Sequence, residues 1–324
     1  MATTKKSTRK STPKKTVSKK TTAKKVNTSS KSVSTSASKK TESKKVTKKA
    51  SITKSAVATS KSSASKPKSE KSKLNIWNWV MAGLHTAQGV AVIVLSQNGL
   101  FPVTTNFLTV DTIVDTGATP TLVSANRFLF DVNLAYLVAA FFFMSAIAHL
   151  FIATVYRKKY EANLDRGINK VRWFEYGISA STMMVGIALL SGVSDLSTLI
   201  LIFGATLVMN LTGLLMEVHN QTTQKTNWLS YKIGTLSGLL PWIVVGIYFW
   251  GSNQFGEGSI PAFVYYIYAS MFVLFSSFAI NMYLQYKKKG KWADYLYGEK
   301  TYMILSLVAK SALAWQIFAG TLRT

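Results

Sequence analysis

From Ile76 onward the chain alternates long apolar runs with short polar connections. A helix needs about 20 residues to cross a hydrocarbon core of about 30 Å. Runs of that length recur at 76–95, 132–156, 173–193, 196–216, 229–250, 260–286 and 302–322. They predict an all-α integral membrane protein with seven transmembrane helices. Trp77, Trp79, Trp173, Trp228, Trp250 and Tyr302 gather near the run ends, where amphipathic rings sit at head-group level. Residues 98–130 form the one long connection. Its alternating Thr109-Val110-Asp111-Thr112-Ile113-Val114, followed by Thr116-Gly117, predicts a short β-hairpin.

Residues 1–73 are a different material. Lys pairs such as Lys5-Lys6, Lys14-Lys15 and Lys48-Lys49 are spaced by Ser, Thr and Ala, with no aromatic residue. Such a segment buries too little apolar area to offset its chain entropy and reads as disordered. It divides the chain into a Lys/Ser/Thr-rich tail, 1–73, and a membrane domain, 74–324. The formal net charge is +26, and the tail, with 23 cations against Glu42 and Glu70, carries +21 of it. Anionic lipid head groups, at about 1 kcal/mol per basic residue near the surface, and nucleic acid are the partners its charge suits. A solvated tail that only reinforces topology is the plainer alternative. With no cysteine in the chain, disulfides, zinc ribbons, iron–sulfur clusters and a Cys nucleophile are excluded.

The remaining cations fall on one side of the predicted membrane. Thirteen of them, in the connections holding Arg157–Arg172, Lys225–Lys232 and Lys287–Lys300, share the side of the tail's 23, against Arg127 and Arg323 opposite. The positive-inside rule then puts the N-terminus in the cytoplasm and the C-terminus outside.

Within the spans the ionisable groups are His85, His149, Glu175 and Lys310, and charge in hydrocarbon marks a functional hypothesis. Lys310, in Leu307-Val308-Ala309-Lys310-Ser311-Ala312, has no short route to water. A desolvated amine is suited to condensing with an aldehyde. Glu175 is its counter-charge: it lies eight residues past Gly167, and Lys310 twelve past Gly298, so their depths differ by only about 6 Å. The alternative sets Glu175 at the head groups beside Arg172. His85 and His149 fall at similar depth, as members of a proton-handling cluster or as side chains satisfied by backbone or Ser partners. Ser145 and Ser306 stand four residues before His149 and Lys310, each on its neighbour's helix face. Glu217 and His219, at the inner end of span four, read as interfacial. Two His and one Glu from three helices lack the i, i+4 pairing of a metal motif, so no metal site and no enzyme active site is expected.

These features resemble the heliorhodopsins. The likeness rests on seven inverted spans, on Leu305-Ser306-Leu307-Val308-Ala309-Lys310-Ser311-Ala312-Leu313-Ala314-Trp315-Gln316 and on Arg172-Trp173-Phe174-Glu175-Tyr176. Gly83-Leu84-His85-Thr86-Ala87-Gln88, Ser145-Ala146-Ile147-Ala148-His149, Leu240-Pro241-Trp242 and Tyr283-Leu284-Gln285-Tyr286-Lys287 add to it. The resemblance covers residues 74–323 and leaves the tail without a counterpart. It implies a rhodopsin-like bundle and a retinal-binding photoreceptor. Lys310 would carry all-trans retinal as a protonated Schiff base and Glu175 would be the counterion. His85, His149, Ser145, Ser306 and Tyr176 would form the adjoining polar network, and Pro241, Phe275 and Trp315 would line the polyene. It also implies a homodimer with a hairpin in the first outer loop. The function implied is slow light sensing, with a light-gated proton or cation channel as the alternative and Glu217 as its candidate transport acid. A receptor without chromophore, or a membrane tether for nucleic acid, is the third class.

Overall fold

The computed structural model describes residues 65–110, 121–257 and 260–322. Seven of its helices, 20 to 28 residues long over their apolar stretches, have the length and composition to cross a membrane. In chain order the elements are α1 (Ser65–Leu95), β1 (Leu100–Val110), β2 (Leu122–Asn133), α2 (Leu134–Ala153), α3 (Arg157–Leu164) and α4 (Lys170–Leu190). There follow α5 (Leu196–His219), α6 (Leu229–Phe255), α7 (Ala262–Tyr286), a 3-10 turn (Gly290–Ala293) and α8 (Tyr295–Ile317), which runs into a π-helical turn (Phe318–Leu322). The fold is the expected seven-helix bundle with a two-stranded hairpin between the first two spans.

Polar caps set where the spans begin. Asn133, Asn169, Asp195 and Asp294 each accept a backbone N–H of the following helix through the side chain, opening α2, α4, α5 and α8. Two starts therefore precede the apolar runs: α4 begins three residues before the expected 173, and α8 seven before the expected 302. The second span ends at Ala153, short of the expected 156, and α3 follows as a separate short helix with Tyr160 and Leu164 buried.

Adjacent helices pack in sequence order through α1, α2, α4, α5 and α6, and α8 returns against α7 and α1. Aromatic rings close the seam between α6 and α7, where Trp242 meets Tyr268, Phe272 and Phe275 edge-on at 5.4 to 5.6 Å. Toward the hairpin the core is apolar and includes Val92, Phe141, Leu134, Ile187, Val245 and Leu313. Toward α3 two smaller clusters form, one around Met81, Tyr160 and Met303 and one around Trp173, Tyr176 and Tyr302. The buried Asn78, Asn169, Arg172, Glu217 and Glu299 lie among these two clusters.

The hairpin is longer than its sequence signal. Its antiparallel register runs from Leu100 opposite Asn133 to Val110 opposite Leu122, with an irregularity between Val103 and Thr104. Thr104 docks it on the α4–α5 connection by donating its N–H to the Ser194 carbonyl at 2.9 Å. Of the stretch whose alternation predicts the hairpin, residues 111–117 lie outside the described residues.

Candidate functional site

Lys310, on α8, is 3% exposed. Its Nζ stands 3.2 Å from Glu175 Oε1 on α4 and donates to Ser306 Oγ at 2.9 Å, one turn back on α8. Ser145, on α2, donates to the same Glu175 oxygen at 2.5 Å. The Tyr176 ring lies beneath the ammonium, 5.3 Å from ring centroid to Nζ, close enough for a cation–π attraction. Tyr176 is fixed by its hydroxyl, which donates to the Tyr302 carbonyl at 2.8 Å. Glu175 therefore faces Lys310, while the Arg172 of the head-group alternative points elsewhere.

The two histidines share this level. His149 Nδ1 pairs with Asn78 Oδ1 at 2.8 Å. Because the Asn78 amide group donates to the Leu74 carbonyl, its Oδ1 is the acceptor and the His149 ring is the donor. His85 is wholly buried, finds no hydrogen-bond partner on either nitrogen among the described residues, and stacks on His149 at 5.7 Å.

A cavity of about 40 Å³ opens beside Lys310, walled by Tyr176, Met183, Met209, Phe275 and Phe278. Met209, Asn210, Phe275 and Phe278 also wall an adjoining space of about 80 Å³ that continues between α5, α6 and α7 past Gly213, Gly234 and Tyr231. Phe275 lines both spaces. Pro241 is buried in α6 but lines neither space. Trp315 is 37% exposed and donates its indole N–H to Gln88 Oε1 at 3.1 Å. Five residues separate it from Lys310, about 140° around a helix, so it looks away from the amine.

Toward α3 stands an ion cluster that the sequence reading largely missed. The Arg172 guanidinium bridges Glu217 on α5 and Glu299 on α8, all three almost wholly buried. Glu217, read as interfacial, is 1% exposed, whereas His219 two residues on is exposed. Glu217 accepts from the Asn169 N–H at 2.9 Å, the Trp173 indole at 2.7 Å and the Tyr295 hydroxyl at 3.0 Å. Glu299 accepts from Asn169 Nδ2 at 2.5 Å and from the Tyr160 hydroxyl at 3.2 Å. Glu299 was lost to the late start assigned to the last span. Its spacing held the signal, since Glu299, Ser306 and Lys310 lie at i, i+7 and i+11, along one helix face.

The family model described as Heliorhodopsin matches residues 74–322. The chain belongs to the heliorhodopsin family. Among solved structures this heliorhodopsin resembles a light-driven proton pump from Leptosphaeria maculans, at 15% identity over 76% of this chain and 92% of that chain, with a TM-score of 0.45. Comparison with curated proteins finds no match. Membership carries the retinal chromophore and the photoreceptor class of the rhodopsins. The residues present fit that group: a buried primary amine in the wall of an aromatic and thioether-lined space suits a polyene aldehyde, and a carboxylate beside the amine suits a cation there.

Proposed function

We propose that this heliorhodopsin is a light sensor in which Lys310 holds all-trans retinal as a protonated Schiff base and Glu175 is its counterion. The observation that carries the proposal is the buried 3.2 Å pair of Lys310 and Glu175 at the head of the cavity. Retinal in that linkage supplies visible absorption and a light-driven twist of its chain. Glu175 balances the positive charge on the Lys310 nitrogen, and Ser145 and Ser306 hold both partners in line. His149 and His85 extend the polar side of the site. Tyr176, Phe275 and Phe278 exclude water from the apolar side.

The runner-up is a light-gated proton or cation channel. The polar cluster toward α3 favours it, since charge reaches far along that half of the bundle. The half toward the hairpin is filled by Val92, Phe141, Ile187, Val245 and Leu313, which supports the sensor. Photocurrents under voltage clamp separate the two. A homodimer in a bilayer, with the tail in the cytoplasm and the hairpin outside, completes the proposal. The apolar Leu108, Leu122, Phe128 and Phe130 exposed on the hairpin support the dimer.

Purified protein given retinal should turn coloured, and hydroxylamine in the light should bleach it. Lys310→Ala should stay colourless. A Lys310→Ala protein that absorbs visible light like the parent sinks the assignment.

A further inference from the structure

Between the Lys310 site and the ion cluster lies a small space of about 20 Å³, lined by both Glu175 and Glu299 together with His149, Asn169 and Arg172. That volume seats one water molecule, provided two or more polar partners meet it. One partner is conspicuous: Arg172 is 5% exposed, yet its Nε–H has no acceptor anywhere among the described residues. A buried donor left unpaired costs roughly 1–3 kcal/mol. Arg172 cannot turn to find a partner. Its two terminal nitrogens are taken by Glu217 and Glu299, and its plane is held over the rings of Tyr302 at 4.1 Å and Trp173 at 4.8 Å.

The cluster also has an unbalanced charge, one guanidinium against two carboxylates, and the two acids are not equivalent. Around Glu217 the Asn169 N–H, the Trp173 indole and Arg172 donate and can never accept, the Tyr295 hydroxyl on its Oε1 is the one rotatable partner, and Glu217, unlike Glu299, does not line the small space. Its Oε2 receives only such fixed donors, so a proton there has no acceptor to face. Around Glu299, Arg172 is a fixed donor, and so is Asn169 Nδ2, because Asn169 Oδ1 already accepts the Arg172 N–H at 3.1 Å. The Tyr160 hydroxyl on Glu299 Oε1 can rotate and accept, as a phenol does. Burial and the neighbouring Glu299 hold the Tyr160 phenol well above its usual range, so it acts as a neutral rotor.

We propose that one water sits on Arg172 Nε–H between Glu175 and Glu299, and that the proton leaving the Lys310 nitrogen after illumination passes by way of Glu175 and this water and comes to rest on Glu299 Oε1. This rests on the photoreceptor reading above. The bond broken is N–H at Lys310 and the bond formed is O–H at Glu299, with water giving up one proton as it takes another. Glu175 releases to the water the proton it takes from Lys310 and so ends as a carboxylate. The Arg172 cluster goes from one excess negative charge to none, and the Lys310 pair from none to one, so the excess charge of the cluster draws the proton toward α3. Glu217, the acid first considered for transport, becomes a positioning residue that fixes Arg172.

Light-minus-dark infrared spectra of the retinal-loaded full chain test this. A protonated-carboxyl band should appear on illumination, vanish in Glu299→Gln and persist in Glu217→Gln. Tyr160→Phe should keep the band but move it to higher frequency, because the new O–H loses its acceptor. If Glu299→Gln folds poorly, Glu299→Asp keeps a carboxyl, and the band should return displaced. Arg172→Lys, lacking Nε–H, should lose the bound-water band identified by its shift in heavy-oxygen water. A band unchanged in both Glu299 variants, or lost only in Glu217→Gln, overturns the proposal while leaving the photoreceptor intact. Parent protein that never absorbs visible light with retinal fails earlier and sinks the photoreceptor reading itself.

Discussion

At Lys310 the decisive quantity is the cost of isolated charge. A buried ion pair is weak evidence of stability, yet removing one member strands the other at a cost of about 3–5 kcal/mol. Glu175 accepts from both Lys310 and Ser145 on one oxygen, so a neutral amide there removes the charge while keeping the volume. Glu175→Gln, loaded with retinal, should absorb at longer wavelength, or lose its visible band if the Schiff base gives up its proton. A dark spectrum superimposable on the parent's would refute the counterion assignment. The same logic explains why Lys310, Glu175, His85 and His149 could be found from sequence. Each interrupts an otherwise apolar run, and rarity in hydrocarbon is visible in one dimension. Arg172, Glu217 and Glu299 sit nearer the span ends, where charge is ordinary. Only their mutual burial distinguishes them, and that belongs to three helices at once.

Among the elements, the caps fix depth. Asp195 opens α5 by accepting the Thr198 N–H and hydroxyl, both at 2.9 Å, close to where Thr104 docks the hairpin. The Thr198 N–H holds this carboxyl below its usual range, so the sign of the pH dependence follows. The cap's contribution is present above the unfolded aspartate value of about 3.9 and fades as pH falls through the lower folded value. Asp195→Ala should cost about 1 kcal/mol in thermal unfolding at neutral pH. In acid, the gap between variant and parent should close. A gap independent of pH would mean that packing, and not the carboxylate, sets the loss. Span existence was legible from the sequence because apolar length alone declares it. Span starts were not, because Asn169 and Asp294 cap helices whose first turns are polar. Helix α3 was hidden for a related reason. Arg157–Leu164 offers the core only Tyr160 and Leu164, one turn apart on the same face, too little periodicity for eight residues. The hairpin was foreseen from the alternation after Thr109, yet most of its described strand length lies outside that stretch.

For the whole molecule the open matter is which way it faces. The structure takes one cation from the asymmetry, since Arg172 is buried against Glu217 and Glu299 instead of facing water. Of the 36 cations on the tail side 35 remain, against two opposite, and a bias of that size orients a bundle even if a further few are paired. The tail dominates the count, and clusters of Lys next to a membrane helix also attract anionic lipid at about 1 kcal/mol per residue, which would hold it on the inner leaflet. Orientation is directly measurable here because the chain has no cysteine, so any introduced thiol is unique. Phe107→Cys places one on the exposed part of β1, and Lys5→Cys places one in the tail. In intact cells a membrane-impermeant maleimide should label the Phe107→Cys protein at once. The Lys5→Cys protein should label only after the membrane is opened. The reverse pattern would put the α3 end outside, and with it the Arg172 cluster that the proton is proposed to reach.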